Sequence, residues 1–150
     1  MKILKTLIDH YKKRYHCILQ EISTIKYTNQ RVAILNFLKD NLKHPTVEEI
    51  FEVVNQKLPR ITKATVYKNL KVLVENGLIK EVNVKGVSRF EAKLKPHHHI
   101  ICKSCGKIID FESEELITFA LKMIESQKDF VITTTETNFY GFCKTCNEFS

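Results

Sequence analysis

The sequence predicts an α+β protein in which a winged helix-turn-helix domain precedes a small α/β domain. Apolar residues recur at helical spacing through the first half, and an alternating hairpin pattern follows them. The second half contains two Cys-x-x-Cys pairs among further strand and helix patterns. We therefore predict a first domain at residues 1–92, a hinge at 93–96 and a second domain at 97–150.

Four amphipathic helices are predicted before the hairpin. The first spans residues 3–22, forms an N-terminal extension and has a lysine-rich outer face. Thr28 and Thr62 are suited to cap the second and fourth helices, and Thr46 with Glu49 has the pattern of a capping box at the third. The last three helices are expected to end near Asn41, before Pro59 and at Gly77.

The fourth helix is the candidate DNA-recognition element. Residues 78–84 and 87–92 alternate across Lys85-Gly86 and predict a β-hairpin after this helix. Helices followed by a hairpin form a winged helix-turn-helix, whose second motif helix enters the major groove of DNA. The more polar face of the fourth helix carries the candidate contacts Lys63, Thr65, Tyr67, Lys68 and Asn69.

The composition favours an anionic partner. The chain has a formal net charge of +7 and a pI of about 9.1, which is typical of proteins that bind nucleic acid. Its apolar runs are too short to cross a membrane, and charges interrupt the apolar residues of the N-terminus, unlike in a signal peptide. We therefore expect a cytoplasmic protein without a membrane partner.

The second domain opens with three consecutive histidines directly before a cysteine pair. If this segment is a strand, His97 and His99 point to one face and His98 to the other. Two imidazoles on one side of a strand offer two ligands to a metal ion. Further patterns predict strands at 97–102, 107–111 and 130–137, a helix from Ser113, and a turn at 140–142.

The two cysteine pairs predict a structural zinc site. Cys102 and Cys105 form the first pair, and Cys143 and Cys146 form the second. One alternative is two disulfides in a secreted protein, although the sequence lacks a secretory signal and Cys17 would be left over. A redox-active pair and a zinc-ribbon interaction module are further alternatives.

In combination, these motifs resemble the ferric uptake regulator family of bacterial metal-dependent repressors. The similarity runs from Tyr27 to Cys146. It is carried by residues 28–31, 44–50, 64–70, 77–79, 88–91, 97–105, 105–111 and 140–143. The predicted first helix extends beyond the usual start of the family.

The resemblance implies a homodimer that binds palindromic double-stranded DNA. The second domains would pair through their sheets, with structural Zn²⁺ on the four cysteines. A regulatory Fe²⁺ or Mn²⁺, with Zn²⁺ as a third candidate, would tie the DNA-binding domain to the dimerisation domain. The implied ligands are His44, Glu91, His97, His99 and Asp110. The residue matching Lys26 reaches the minor groove in relatives, and the one matching Tyr67 contacts bases.

Within the family, the chain is most similar to the peroxide-responsive branch. The helix at 64–70 resembles that branch, and so does the lack of a third metal site. Relatives with such a site around the residue matching His98 carry a histidine at the position of Thr135 and an acidic ligand at that of Ile117. In this branch, bound iron reacts with peroxide and oxidises ligand histidines, here His44 or His97, and repression is lifted.

The sequence is also compatible with two functions other than that of a peroxide-responsive repressor. Peroxide sensors tend to carry Asp at the position of Glu91, whereas iron-uptake regulators tend to carry Glu, so an iron-uptake or zinc-uptake regulator is the first alternative. A hydrolase that uses the His/carboxylate cluster is the second. The sequence contains no His-Glu-x-x-His or nucleophile motif, and we therefore predict a regulator and not an enzyme.

Overall fold

The structure, a computed structural model, describes residues 27–41, 43–93, 97–124 and 135–147. These residues fall into two compact units, one containing residues 27–93 and the other residues 97–147. The predicted first helix, Cys17, Lys26 and residues 94–96 of the predicted hinge lie outside the described residues.

The first unit begins with three helices: α1 (Asn29–Asp40), α2 (Val47–Lys57) and α3 (Lys63–Glu75). The predicted caps are confirmed. Thr28, Thr46 and Thr62 each accept a hydrogen bond from the backbone N–H three residues further on. The Glu49 side chain also accepts from the Thr46 backbone N–H at 2.7 Å, which completes the capping box.

A β-hairpin, formed by β1 (Lys80–Val84) and β2 (Val87–Glu91), is the wing of this unit. Lys85 and Gly86 have φ values of 56° and 81°, and positive φ at both turn residues suits a two-residue hairpin. The first strand begins two residues later than predicted. The Leu78 N–H donates to the Leu73 carbonyl at 2.9 Å, so residues 77–79 complete the end of α3.

The core of the first unit lies between the three helices and the wing. Its fully buried members are spaced along the inner faces of the helices, as the apolar periodicity predicts. They include Ile34, Leu38, Ile50, Val54, Val66, Leu70, Leu73 and, from the wing, Phe90.

The second unit is a three-stranded sheet with helices. Its elements are β3 (His98–Cys102), β4 (Ile108–Phe111), α4 (Glu114–Met123), β5 (Asn138–Gly141) and the short α5 (Lys144–Asn147). The strand order is β4-β3-β5, with β3 antiparallel to β4 and parallel to β5. Ser113 caps α4, as predicted. Within the described ranges, no helix combines the length and apolar character that a membrane span requires.

The predicted third strand, 130–137, is not observed over the part of it that the structure describes. Residues 135–137 are not in a strand, and β5 instead contains Tyr140 and Gly141, which the sequence analysis placed in a turn. Residues 130–134, the β-branched part of that prediction, lie outside the described residues. The position of β5 depends on its pairing with the central strand β3, which a local sequence pattern does not show.

We predict that Thr46→Ala destabilises the first unit by about 1 kcal/mol, because it removes the acceptor for the Glu49 N–H and breaks the capping box. Urea unfolding would measure the change. Glu52→Ala, at an exposed position of the same helix, is the matched control and should have little effect. Equal losses in both variants would show that the cap contributes nothing specific.

Candidate metal centres

The four cysteines of the described chain meet at one end of the second sheet. Cys102 ends β3, and Cys143 follows β5 by two residues. Because β5 runs parallel to β3 and Gly141 pairs with Cys102, both chain segments leave the sheet at the same end. The four sulfur atoms all lie within 4.8 Å of one another.

The spacing of these sulfurs fits a tetrahedral metal ion. The Sγ atoms of Cys105 and Cys143 are 3.8 Å apart. Four thiolates at the usual Zn–S distance have edges of about 3.8 Å, so the donor set and the spacing both suit Zn²⁺. This arrangement favours metal binding over two disulfides, since all four cysteines are free thiols that form one cluster.

The thiol groups of Cys102 and Cys146 differ in pKa. Hydrogen bonds from the backbone N–H groups of Cys105 and Cys143 lower the pKa of Cys102 to about 6. At Cys146 the Ser104 hydroxyl favours the thiolate, but Cys143, burial and the other two sulfurs outweigh it and raise the pKa to about 11. Near neutral pH, Cys102 is therefore a thiolate, whereas Cys146 must lose a proton to bind a metal ion.

A second donor group lies on the other part of the same sheet. His97 and His99 are both buried and point to one face, as the predicted strand alternation requires. Their Nε2 atoms are 3.0 Å apart, close to the roughly 3.0 Å expected for two nitrogen ligands at right angles on one ion. Asp110 pairs with His99 across β3 and β4, and its carboxylate lies 3.9 Å and 3.8 Å from the two Nε2 atoms.

Residues that the sequence analysis missed orient His99. Its Nδ1 is 3.1 Å from the Asn138 amide oxygen and 3.6 Å from a Glu136 carboxylate oxygen. A proton on Nδ1 is donated to the Asn138 oxygen, with the Glu136 carboxylate nearby, and leaves Nε2 as the metal-binding atom, which is the usual arrangement around metal-ligating histidines. Asn138 pairs with His99 across the sheet, and a correct strand prediction would have indicated this contact. The sequence pattern predicted no strand at 138–141, so the contact was not foreseen.

The first unit contributes a separate donor pair. His44 Nε2 lies 3.0 Å from Glu91 Oε2, and both side chains are buried. His44 has a φ of 51°, an unusual backbone conformation for a residue with a side chain. Arg89 holds it there by donating a hydrogen bond to the His44 carbonyl at 3.1 Å, and the Phe90 N–H donates to the carbonyl of the next residue, Pro45, at 3.0 Å.

His98 points to the opposite sheet face, as predicted. It is buried against Phe111, with ring centroids 5.1 Å apart, and its Nε2 is 3.4 Å from the Ser113 carbonyl oxygen. Its surroundings are therefore those of a core histidine at the start of α4.

The predicted recognition helix α3 presents an exposed polar surface. Tyr67 is 60% exposed, and Lys63 and Lys68 are exposed beside it. Thr65 is half-buried, and its hydroxyl is 2.9 Å from that of Thr62 at the helix cap.

Asn69 does not lie on the exposed face, and its predicted orientation is wrong. It is buried, and its side-chain oxygen accepts a hydrogen bond from Arg31 Nε at 3.0 Å. Its amide nitrogen donates to the Gln30 side chain at 3.3 Å and to the Thr65 carbonyl at 2.9 Å. Asn69 therefore ties α3 to α1 and sets the orientation of the exposed residues.

The fold and the donor side chains define a winged-helix protein whose side chains are suited to hold metal ions. The model of the ferric uptake regulator family matches residues 23–140. The chain belongs to the ferric uptake regulator family.

Two similar proteins are repressors from staphylococci. The peroxide-responsive repressor PerR of Staphylococcus epidermidis is 36% identical over 142 residues, which cover 94% of this chain and 93% of that protein. PerR of Staphylococcus aureus is 38% identical over 125 residues, which cover 83% and 84% of the two chains.

Solved structures show the same fold. The ferric uptake regulator Fur of Helicobacter pylori matches with a TM-score of 0.73 and 25% identity, covering 94% of this chain and 93% of that one. The peroxide stress regulator of Campylobacter jejuni matches with a TM-score of 0.70 and 27% identity, covering 97% of this chain and all of the other (100%).

We predict that metal binding at the cysteine cluster strengthens with pH between the two shifted pKa values, about 6 and about 11, because the Cys146 thiol must be deprotonated. Zinc competition titrations at several pH values would measure the affinity. Cys143→Ser should abolish tight binding, whereas Cys17→Ser should leave it intact. An affinity that does not change with pH would contradict the protonation scheme.

Proposed function

We propose that this protein is a homodimeric, metal-dependent repressor that responds to peroxide. The observation that carries the proposal is its similarity, over most of its length, to peroxide-responsive repressors of the same family.

DNA binding is assigned to α3 and to the predicted minor-groove residue Lys26. A helix in the major groove reads bases with side chains from its exposed face, and here that face carries Tyr67, Lys68 and Lys63. The positive net charge of +7 would add attraction to the phosphates. Thr65 is assigned to the same surface, whereas Asn69 would act indirectly through its contacts with α1.

Dimerisation is assigned to an apolar row on the second sheet. Ile109, Ile100 and Phe139 are in register across the three strands, so they lie side by side on one face. They are 48%, 44% and 43% exposed, and an apolar row of this kind favours a protein partner. A twofold dimer would cover this row on both subunits and present two recognition helices to a palindromic operator.

Two metal ions with different roles are proposed. Zn²⁺ on Cys102, Cys105, Cys143 and Cys146 would hold the end of the sheet together, since a closed cysteine site is typical of structural zinc. The regulatory ion, Fe²⁺ or Mn²⁺, would take His97, His99 and Asp110 from the second unit and His44 and Glu91 from the first. Imidazole and carboxylate donors suit these divalent ions.

The regulatory ion would couple metal binding to DNA binding because its ligands come from both units. The first unit alone offers two donors, His44 and Glu91, which are too few to hold such an ion tightly. Sharing the ion would therefore favour one arrangement of the units over others. A dimer needs such a fixed arrangement, because its two recognition helices must match the spacing of the half-sites.

Iron supplies the redox chemistry with peroxide when it is bound. The role of the protein is to hold the imidazoles of His44 and His97 next to the ion, where they are the proposed targets of oxidation. An oxidised imidazole is a poor ligand, so the ion would be lost and repression would end. An iron-uptake regulator is the alternative that Glu91 supports. Membership of a family of regulators favours both kinds of regulator over a metal-dependent hydrolase.

Tyr67→Ala should weaken binding to a duplex selected from random sequences by roughly 1–3 kcal/mol, because a base contact is lost. Lys68→Ala should instead reduce the salt dependence of binding by about one unit of slope, as expected for one phosphate contact. Fluorescence anisotropy at several salt concentrations measures both effects. Lys57→Ala, an exposed lysine on α2, is the control, and unchanged affinity in the Tyr67 and Lys68 variants would exclude this surface.

Peroxide should oxidise the iron-loaded protein at His44 or His97. The protein is loaded with Fe²⁺ without oxygen, mixed with a modest excess of peroxide and digested, and the peptides are weighed. The expected result is a gain of one oxygen atom on a peptide that holds either histidine, together with release of DNA. Mn²⁺-loaded protein is the control. Unmodified histidines would favour the iron-uptake alternative, and Glu91→Asp should then confer the sensitivity.

A further inference from the structure

A lysine of the wing lies beside the carboxylate that is proposed to bind the regulatory metal. Lys80 and Glu91 are directly opposite each other in the register of β1 and β2, so their side chains share one face of the hairpin. The Lys80 Nζ is 4.0 Å from Glu91 Oε1. The Lys80 side chain is 31% exposed and that of Glu91 only 4%, so the lysine extends from the surface towards a buried acid.

The two oxygens of Glu91 therefore have different neighbours. Oε1 faces the ammonium group of Lys80, whereas Oε2 is 3.0 Å from His44 Nε2, the other donor of the first unit. A carboxylate in a buried site is held in place by the charges around it, because an uncompensated charge there is costly. These contacts distinguish one oxygen from the other, because Oε2 lies at hydrogen-bond distance from an imidazole and Oε1 lies near an ammonium charge.

We propose that Lys80 is a positioning residue that restrains Glu91 Oε1, so that Glu91 offers the regulatory metal one oxygen, Oε2, and not both. This inference rests on the proposed function, since it concerns the same ion. The side chain of Glu is long enough to bind an ion through both oxygens, as in many calcium sites. Lys80 would prevent that mode by occupying the side of the carboxylate that Oε1 faces.

Two consequences follow for the metal site. A glutamate that binds through one oxygen occupies one coordination position of the ion, whereas a bidentate glutamate occupies two. The proposed peroxide response needs the position that is left free, because peroxide must reach the ion. A fixed positive charge near the ion also weakens its binding, so the site would release the metal more readily. Lys80 would therefore allow Glu91 to act as the shorter Asp acts in related peroxide sensors.

The test compares Lys80→Met, which removes the charge and the donor, with Lys80→Arg, which keeps both. The protein is used with its cysteine cluster filled with Zn²⁺, and Co²⁺ is then added as a probe of the regulatory site. The intensity of the visible Co²⁺ bands reports the number of ligands, and competition titration with Mn²⁺ reports the affinity. Lys71→Met is the matched control, because Lys71 forms a similar but exposed pair with Glu75 at 3.9 Å.

We expect Lys80→Met to weaken the visible bands, as for an ion that gains a ligand, and to tighten Mn²⁺ binding by about tenfold. Lys80→Arg and Lys71→Met should match the unmodified protein. Bands that stay the same in Lys80→Met overturn the proposal, even if the affinity rises, because the lysine would then act only through its charge. Circular dichroism of each variant confirms that the fold is retained.

A further variant separates this inference from the proposed function. If Glu91→Ala leaves the Co²⁺ bands of the protein unchanged, Glu91 is not a ligand, and both the proposed regulatory site and this inference fail. If Glu91→Ala changes the bands but Lys80→Met does not, the regulatory site stands and only the role of Lys80 is wrong.

Discussion

A buried carboxylate in the wing is the constraint on which the first unit's part of the proposed site depends. Glu91 is 3% exposed, and burial of an anion is costly unless cations or strong donors surround it. His44 approaches one oxygen and Lys80 the other, and Arg89, two residues from Glu91, fixes the His44 backbone. In the proposed site, the wing would thus support the ligands of the first unit.

The central strand β3 plays the corresponding role in the second unit. Its beginning presents His99 next to Asp110, and its end places Cys102 beside the segment that carries Cys143. Parallel pairing with β5 places Cys143 beside Cys102, because the two strands end at the same edge of the sheet. One strand therefore serves both donor groups, one at each end.

Local patterns were sufficient to predict most elements, but pairing between distant segments was not visible in them. Thr28, Thr46 and Thr62 cap helices as expected, because capping involves only residues three positions apart. The strand at 138–141 was not predicted, because contact with β3 decides its position. Asn69 was expected on the exposed face, and its burial depends on Arg31, 38 residues away in the chain. The spacing of the cysteine pairs was sufficient to predict the cysteine cluster. The His/carboxylate set came from the family resemblance, since neither residue spacing nor periodicity indicates which carboxylates join which histidines.

In the proposed function, one metal ion couples the arrangement of the two units to DNA binding. Thermodynamic linkage makes the claim directly measurable, because metal and DNA must then strengthen each other's binding by the same factor. The measurement is the affinity of the zinc-filled protein for Mn²⁺ with and without a saturating concentration of the selected duplex. We predict that Mn²⁺ binds more tightly when DNA is present. The factor should equal the factor by which Mn²⁺ increases the affinity for DNA. An Mn²⁺ affinity that is the same with and without DNA would contradict it.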